Sequence, residues 1–128
     1  MVDIAKVVAR WRSGAREDWE VAADLVHRGR VRHGLFFAHL ALEKALKAHV
    51  CRKTGELAPY IHDLVRLASA ASLPTDERRR DVLARMNAYA LAGRYPDALP
   101  AALTLADGRD RLADASEVFE WLMTQLPG

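Results

Sequence analysis

Cysteine is nearly absent from this chain of 128 residues, and Cys51 is the only one. A single cysteine cannot form an internal disulfide, and no metal-ligand spacing surrounds it. We therefore expect Cys51 to be a small packing residue in a reducing, cytoplasmic setting. The chain also lacks a signal-peptide pattern and any run of about 18 apolar residues, so we expect a soluble protein without a membrane span.

An excess of charge of one sign is missing too, because 19 basic residues stand against 17 acidic ones and the formal net charge is +2. A basic field over the whole protein is therefore excluded, and polyanion binding would need a local cluster of basic residues. Arg78, Arg79, Arg80 and Arg85 form one such cluster, but neighbouring acidic residues weaken its field. We interpret this cluster as a solvated helix face.

β-branched residues are sparse, whereas alanine and leucine dominate, and this balance favours helix over strand. Hydrophobic residues make up 51% of the chain and charged residues 28%, which is typical of one globular domain. Short breakers separate the apolar segments. We therefore predict an all-α, antiparallel up-and-down bundle of four or five helices that forms a single domain over residues 1–128.

Helical spacing of apolar residues gives expected bounds for each segment. The predicted helices cover residues 3–11, with an interruption at Ser13-Gly14, then 17–27, 31–53, 62 or 63 to 71, 77–91, and 103 or 108 to 125. Thr75 is the expected N-cap of the helix that starts at residue 77. Residues 92–102 are predicted to form a long loop, and we expect function there because bundles have few other irregular surfaces.

The segment over residues 31–53 is apolar on nearly all sides from Leu35 to Leu42, apart from His39, and this predicts a helix at the centre of the bundle. His39 is expected to be a hydrogen-bonded core or interface residue. Glu43 and Lys47 lie four residues apart on the same segment and can form an ion pair. On a central helix such charges indicate either a cleft or a satisfied internal network, and in a cleft Lys47 could meet a phosphate.

Three short signatures follow one another along the chain. They are the segment 36–48 with the sequence FFAHLALEKALKA, His62-Asp63-Leu64, and Arg94-Tyr95-Pro96. In this order they resemble the stand-alone bacterial and archaeal HEPN domain, and the resemblance covers about residues 15–125. It implies a helical bundle, commonly a homodimer, that associates with nucleotides or RNA. It also implies action with a small nucleotidyltransferase partner, as in toxin–antitoxin pairs.

Many HEPN proteins are metal-independent ribonucleases, marked by an arginine that a histidine follows after four to six intervening residues. The histidine would act as a general acid or base, and the arginine would stabilise phosphate charge. No histidine follows Arg94. The spacings Arg28 to His33 and Arg32 to His39 match, but about two matches are expected by chance. Arg28 and His33 are therefore weak catalytic candidates.

We predict a non-catalytic nucleotide- or RNA-associated bundle that acts with a nucleotidyltransferase, without a cofactor or metal. A metal-independent ribonuclease toxin and a pure interaction or dimerisation module are the alternatives. In the interaction module the three tryptophans could form the contact surface, although core packing is equally compatible with the sequence. These residues are Trp11, Trp19 and Trp121.

The predicted nucleotide- or phosphate-binding residues lie in the three signatures: Glu43, Lys44, Lys47, His62, Arg94 and Tyr95. His62 could contact a ribose or phosphate, or it could simply fix a helix start with Asp63 at or near the N-cap. Arg94 could hold a phosphate while Tyr95 stacks on a base. Alternatively, the following proline could hold Tyr95 in an extended conformation against the bundle.

Overall fold

The computed structural model describes residues 2–92 and 103–128. Within these ranges the chain forms helices and no strand, which confirms the all-α prediction. The helices are α1 (Ile4–His27), α2 (Val31–Thr54), α3 (Leu64–Ala70), α4 (Glu77–Met86), α5 (Ala88–Ala92) and α6 (Leu105–Thr124). No helix of the described part is long and apolar enough to cross a membrane.

Helix α2 lies at the centre of the bundle, as its sequence predicts. Most of its apolar residues are buried, because α1 packs along it while α3, α5 and α6 also contact it. The residues without any solvent exposure include Leu35, Ala38, Ala41, Leu42, Ala45, Leu46 and Ala48. The C-cap of the helix is Gly55, whose φ of 70° is the left-handed conformation that glycine readily adopts. This central position buries four polar side chains of α2, which are His39, Glu43, Lys47 and His49.

Helix α1 is continuous, so the predicted interruption at Ser13-Gly14 is wrong. A glycine inside a helix costs only about 1 kcal/mol relative to alanine, and packing against α2 outweighs that cost. A Cβ atom on Gly14 would lie 3.3 Å from Cδ of Lys44. Asp3 begins the helix by accepting a hydrogen bond from the backbone amide of Lys6 at 3.3 Å.

Two other glycines allow helices to approach α2 closely. A Cβ atom on Gly34 would lie 2.5 Å from Cγ2 of Val26, so α1 and α2 could not keep their present separation. A Cβ atom on Gly108 would lie 2.6 Å from Cγ1 of Val31, at the contact between α6 and the start of α2. Small residues at such crossings fix the interhelical distance.

Several helix ends differ from the sequence predictions. Asp76, not Thr75, caps α4, because its Oδ1 accepts a hydrogen bond from the amide of Arg79 at 2.8 Å. The helix predicted over 77–91 is divided at Asn87 into α4 and α5. Helix α6 begins at Leu105, between the two predicted starts, after a capping box of Thr104 and Asp107. Of the predicted loop 92–102, residue 92 ends α5 and the rest lies outside the described residues.

The three tryptophans have different environments. Trp19 belongs to the core, where its ring stacks on Phe119 at a centroid distance of 4.6 Å. Trp121 is half-buried beneath the guanidinium of Arg79. Trp11 is also half-buried and lines a surface groove. Core packing is therefore the correct interpretation for Trp19, and only the other two retain surface that a partner could contact.

The arginine cluster on α4 is an ion-paired surface, in agreement with its interpretation as a solvated face. Arg78 lies 2.9 Å from Glu117, and Arg85 lies 3.7 Å from Asp114, so both pair with α6. Arg79 pairs with Asp76 at 3.5 Å. Cys51 is buried, and burial raises the pKa of its thiol, as expected of a packing residue.

Candidate functional site

A buried ion pair lies on the central helix. Glu43 and Lys47 are 6% and 5% exposed, and Nζ of Lys47 donates a hydrogen bond to Oε2 of Glu43 at 3.1 Å. Burying two charges is costly, and their mutual attraction offsets the cost only when further polar groups satisfy them. The sequence left open whether these charges face a cleft or form an internal network, and the structure shows a network. The other residues of this network are His39 and His62.

The second oxygen of Glu43 contacts the histidine of the His62-Asp63-Leu64 signature. Nδ1 of His62 lies 3.0 Å from Oε1 of Glu43. Because a carboxylate accepts hydrogen bonds and donates none, we assign the proton of the neutral ring to Nδ1. Nε2 then carries a lone pair. The side chain of His62 is 68% exposed, whereas that of Glu43 is 8% exposed, so a buried carboxylate holds an exposed imidazole.

His39 holds the backbone of the same residue. Its Nε2 lies 3.1 Å from the carbonyl oxygen of His62, and since a carbonyl only accepts, Nε2 of His39 is the donor. Its Nδ1 lies 3.8 Å from Oε1 of Glu43 and has no hydrogen-bond partner within the described part of the chain. Burial lowers the pKa of His39, and the opposing effect of Glu43 is smaller. His39 is thus the hydrogen-bonded core histidine that the sequence predicted.

The start of α3, which presents His62, is tied to the break between α4 and α5. Oδ1 of Asp63 accepts hydrogen bonds from the amides of Val65 and Arg66 at 2.9 and 3.2 Å. Asn87 donates to the same oxygen at 3.2 Å and accepts from the amide of Leu64 at 2.9 Å. Burial opposes ionisation of Asp63, but these hydrogen bonds outweigh it and lower its pKa. Asp63 is the N-cap that the sequence suggested.

We call Glu43, Lys47, His39 and His62 the Glu43 cluster. A groove of about 520 Å³ adjoins it, and we call this groove the Trp11 groove. Its lining residues come from α1, α2 and the connection before α3: Val7, Arg10, Trp11, Gly14, Lys44, Leu57, Ala58 and Tyr60. Nζ of Lys47 lies 5.4 Å from the Trp11 ring centroid, so this ring contacts the cluster as well as the groove.

The Trp11 groove carries two cations and two aromatic rings. Lys44 is partly compensated, because its Nζ lies 2.7 Å from Oδ2 of Asp18. Arg10 is exposed and forms no ion pair within residues 2–92 and 103–128. Tyr60 is fully exposed two residues before His62. Arg10, Trp11 and Tyr60 were not predicted as site residues, because their proximity to Lys44 arises only when α1 and the 55–63 connection fold against α2.

The predicted site residues therefore divide into three groups. Glu43, Lys47 and His62 meet in one cluster, and Lys44 lies in the adjoining groove. Arg94 and Tyr95 lie outside the described residues. No group of three or more histidine, cysteine or acidic side chains in the described ranges is arranged to hold a metal ion.

The weak catalytic candidates lie near the turn between α1 and α2. Arg28 is the C-cap that follows α1, and its Nε donates to Asp24 at 3.0 Å. His33 is exposed in the first turn of α2, with its Nε2 3.5 Å from a terminal nitrogen of Arg32. The described contacts contain no hydrogen bond between Arg28 and His33 and none from either residue to the Glu43 cluster. The spacing match therefore does not correspond to an observed pair.

The fold and the cluster define an antiparallel helical bundle with an ionic site on its central helix. The HEPN domain family model matches residues 8–126, and the chain belongs to this family. TT1696 from Thermus thermophilus has a similar structure, with a TM-score of 0.79 and 23% identity over 93% of this chain and 98% of that one.

A second similar structure is ST0689, an archaeal HEPN homologue. Its TM-score is 0.72 and its identity 20%, over 92% of this chain and 96% of that one. No curated protein matches the sequence. At these identities the two structures establish the fold alone.

Proposed function

We propose that this protein is a nucleotide- or RNA-binding bundle without catalytic activity of its own, and that the Glu43 cluster and the Trp11 groove form its binding site. One observation carries the proposal. The charged side chains of the cluster are buried on the central helix, whereas the His62 ring that contacts them is exposed. Through Trp11 the cluster adjoins a groove that combines aromatic rings with cations.

The chemistry of the groove suits one nucleotide unit. A base can stack on Tyr60 or Trp11, and such stacking contributes about 1–3 kcal/mol per base. Arg10 and Lys44 supply positive charge for a phosphate. Nε2 of His62 can accept a hydrogen bond from a ribose hydroxyl. The volume of about 520 Å³ falls within the range of small-ligand pockets.

The proposal includes a homodimer and a small nucleotidyltransferase partner, as the HEPN resemblance implies. Half-exposed aromatic residues support a protein contact, since Phe36 and Phe37 pack edge to face at 5.8 Å on α2 and remain partly accessible. Light scattering of the purified protein should give the mass of a dimer. A monomer at the concentrations used for binding would contradict this part of the proposal.

Titration of ATP and of labelled single-stranded RNA into the protein tests the binding site. Arg10→Ala and Tyr60→Ala should each weaken binding about tenfold, because they remove a phosphate contact and a stacking surface. Arg109→Ala is the matched control, since Arg109 is an exposed helical arginine on α6 outside the groove. Binding that does not saturate below about 1 mM, with or without a nucleotidyltransferase partner, would refute the proposal.

Incubation with total RNA in the presence of EDTA tests the absence of catalysis. We expect the RNA to remain intact, because the described contacts pair no arginine with a histidine in the Glu43 cluster. Cleavage that disappears in His33→Ala would instead support the ribonuclease alternative.

A further inference from the structure

His62 is held at two points, and the next residue at a third, although the His62 ring is exposed. Glu43 binds Nδ1 of the ring, His39 binds the backbone carbonyl, and Asn87 binds the cap formed by the next residue, Asp63. Fixing an exposed side chain costs conformational entropy, and a helix start needs only its cap. The helix start therefore explains the contacts of Asp63 but not those of the His62 ring, whose Nε2 is directed away from Glu43.

The contact with Glu43 gives Nε2 the properties of a nucleophile. With the proton on Nδ1, the lone pair of the neutral ring is on Nε2. When Nε2 forms a new bond, the ring gains positive charge, and the carboxylate 3.0 Å from Nδ1 stabilises that charge. We propose that Nε2 of His62 is a phosphoryl-acceptor site for small reactive phosphoryl donors of the acyl phosphate or phosphoramidate class.

The step is a simple displacement at phosphorus. The Nε2 lone pair forms the N–P bond while the bond from phosphorus to the leaving group breaks, and the leaving group takes that electron pair. An acyl phosphate releases a carboxylate, and a protonated phosphoramidate releases ammonia. The Nδ1 proton remains in the hydrogen bond to Glu43, and the product is a phosphohistidine.

The other four histidines of the chain lack this combination of exposure and a carboxylate contact. His39 and His49 are buried, and Nε2 of His49 lies 2.8 Å from the carbonyl oxygen of Leu122. His27 and His33 are exposed, but no hydrogen bond or ion pair with a carboxylate within the described ranges holds either ring. These two residues are therefore internal controls for the reactivity of an ordinary exposed histidine.

Incubation of the wild-type protein with phosphoramidate tests the inference without any substitution. Mass spectrometry at alkaline pH, which preserves phosphohistidine, would follow phosphorylation at each histidine. We expect His62 to react roughly tenfold faster than His27 and His33, and the three rates to become equal in concentrated urea. Equal rates in the folded protein, or a difference that persists in urea, would overturn the inference.

The position of the phosphate on the ring tests the role of Glu43 as a positioning residue. NMR should find the phosphate on Nε2 of His62 in the wild type, because Nδ1 is occupied. The double variant Glu43→Gln/Lys47→Met replaces the two buried charges by neutral side chains of similar size. In this variant the phosphorylation rate of His62 should fall towards that of His27. A mixture of ring positions in the wild type would contradict the assignment.

His62→Gln should remove this phosphorylation while leaving the fold intact, since the residue is exposed. The inference does not depend on the proposed function, because the reaction needs no nucleotide. A wild-type protein that is phosphorylated rapidly at His62 but binds no nucleotide would refute the proposed function alone. A wild-type protein that binds nucleotide but reacts no faster at His62 than at His27 would refute the acceptor site alone.

Discussion

Replacement of Glu43 by glutamine should destabilise the protein strongly, because it leaves Lys47 buried beside a neutral side chain. Lys47 is 5% exposed, and Glu43 is its sole ion-pair partner among the described residues. Removing one member of a buried pair costs about 3–5 kcal/mol, which is a large part of a total stability of about 5–15 kcal/mol. With a urea dependence of about 1–3 kcal/mol per molar, the unfolding midpoint should fall by about 2 M.

Equilibrium urea unfolding, followed by far-UV circular dichroism and by tryptophan fluorescence, measures the loss. Trp19 stacks on Phe119 in the core and therefore reports on core packing. The double variant Glu43→Gln/Lys47→Met should regain most of the loss and lie within about 1.5 kcal/mol of the wild type, because it removes both buried charges. The single variant Lys47→Met completes the double-mutant cycle, and the four free energies of unfolding then give the coupling energy of the pair.

A cost below about 1 kcal/mol for Glu43→Gln would refute this reasoning. It would mean that Lys47 reaches solvent easily and that the pair resembles an ordinary surface contact. The same result would remove the argument that Glu43 is a rigid support for His62. A double variant no more stable than the single one would show that the loss arises from packing rather than from an unpaired charge.

Two further predictions concern stability. Burial lowers the pKa of His39 and His49 below the ordinary 6.5, so the unfolded chain binds protons more readily than the folded one. Their contribution to the free energy of unfolding should be complete above about pH 6.5 and be lost as the pH falls towards the folded-state pKa values. Urea unfolding on both sides of about pH 6.5 measures this change. A stability that rises on acidification would contradict it. Gly34→Ala should cost about 1–3 kcal/mol, because its Cβ would meet Val26 and backbone atoms of α1. Gly14→Ala, which meets only the flexible Lys44 side chain, should stay within about 1 kcal/mol of the wild type, and equal effects of the two would show that their surroundings do not matter.

Sequence periodicity predicted the parts of the fold that depend on one helix alone. The bounds of α2, its central position and the pairing of Glu43 with Lys47 all follow from residues four or fewer apart along one segment. Two of the errors occurred where contacts between helices decide the outcome. Gly14 stays helical because α1 packs along α2, and the break at Asn87 coincides with its hydrogen bonds to the start of α3. Neither of these contacts between elements can be predicted from the residue pattern of one segment.

The candidate site shows the same difference between patterns within one segment and contacts across the bundle. Glu43 and His62 are 19 residues apart in sequence and belong to separate motifs, neither of which indicates a contact with the other. Their meeting requires α2 to present Glu43 on the side to which the 55–63 connection returns. Arg28 and His33 have the opposite relation, since their spacing fits a known motif while the structure shows no contact between them. Spacing along a helix defines a site only when its members share a face, and contact across the bundle supplies the partners that spacing cannot predict. For this reason functional experiments should first test the exposed His62 imidazole that contacts the buried Glu43 carboxylate, and not the arginine–histidine spacing.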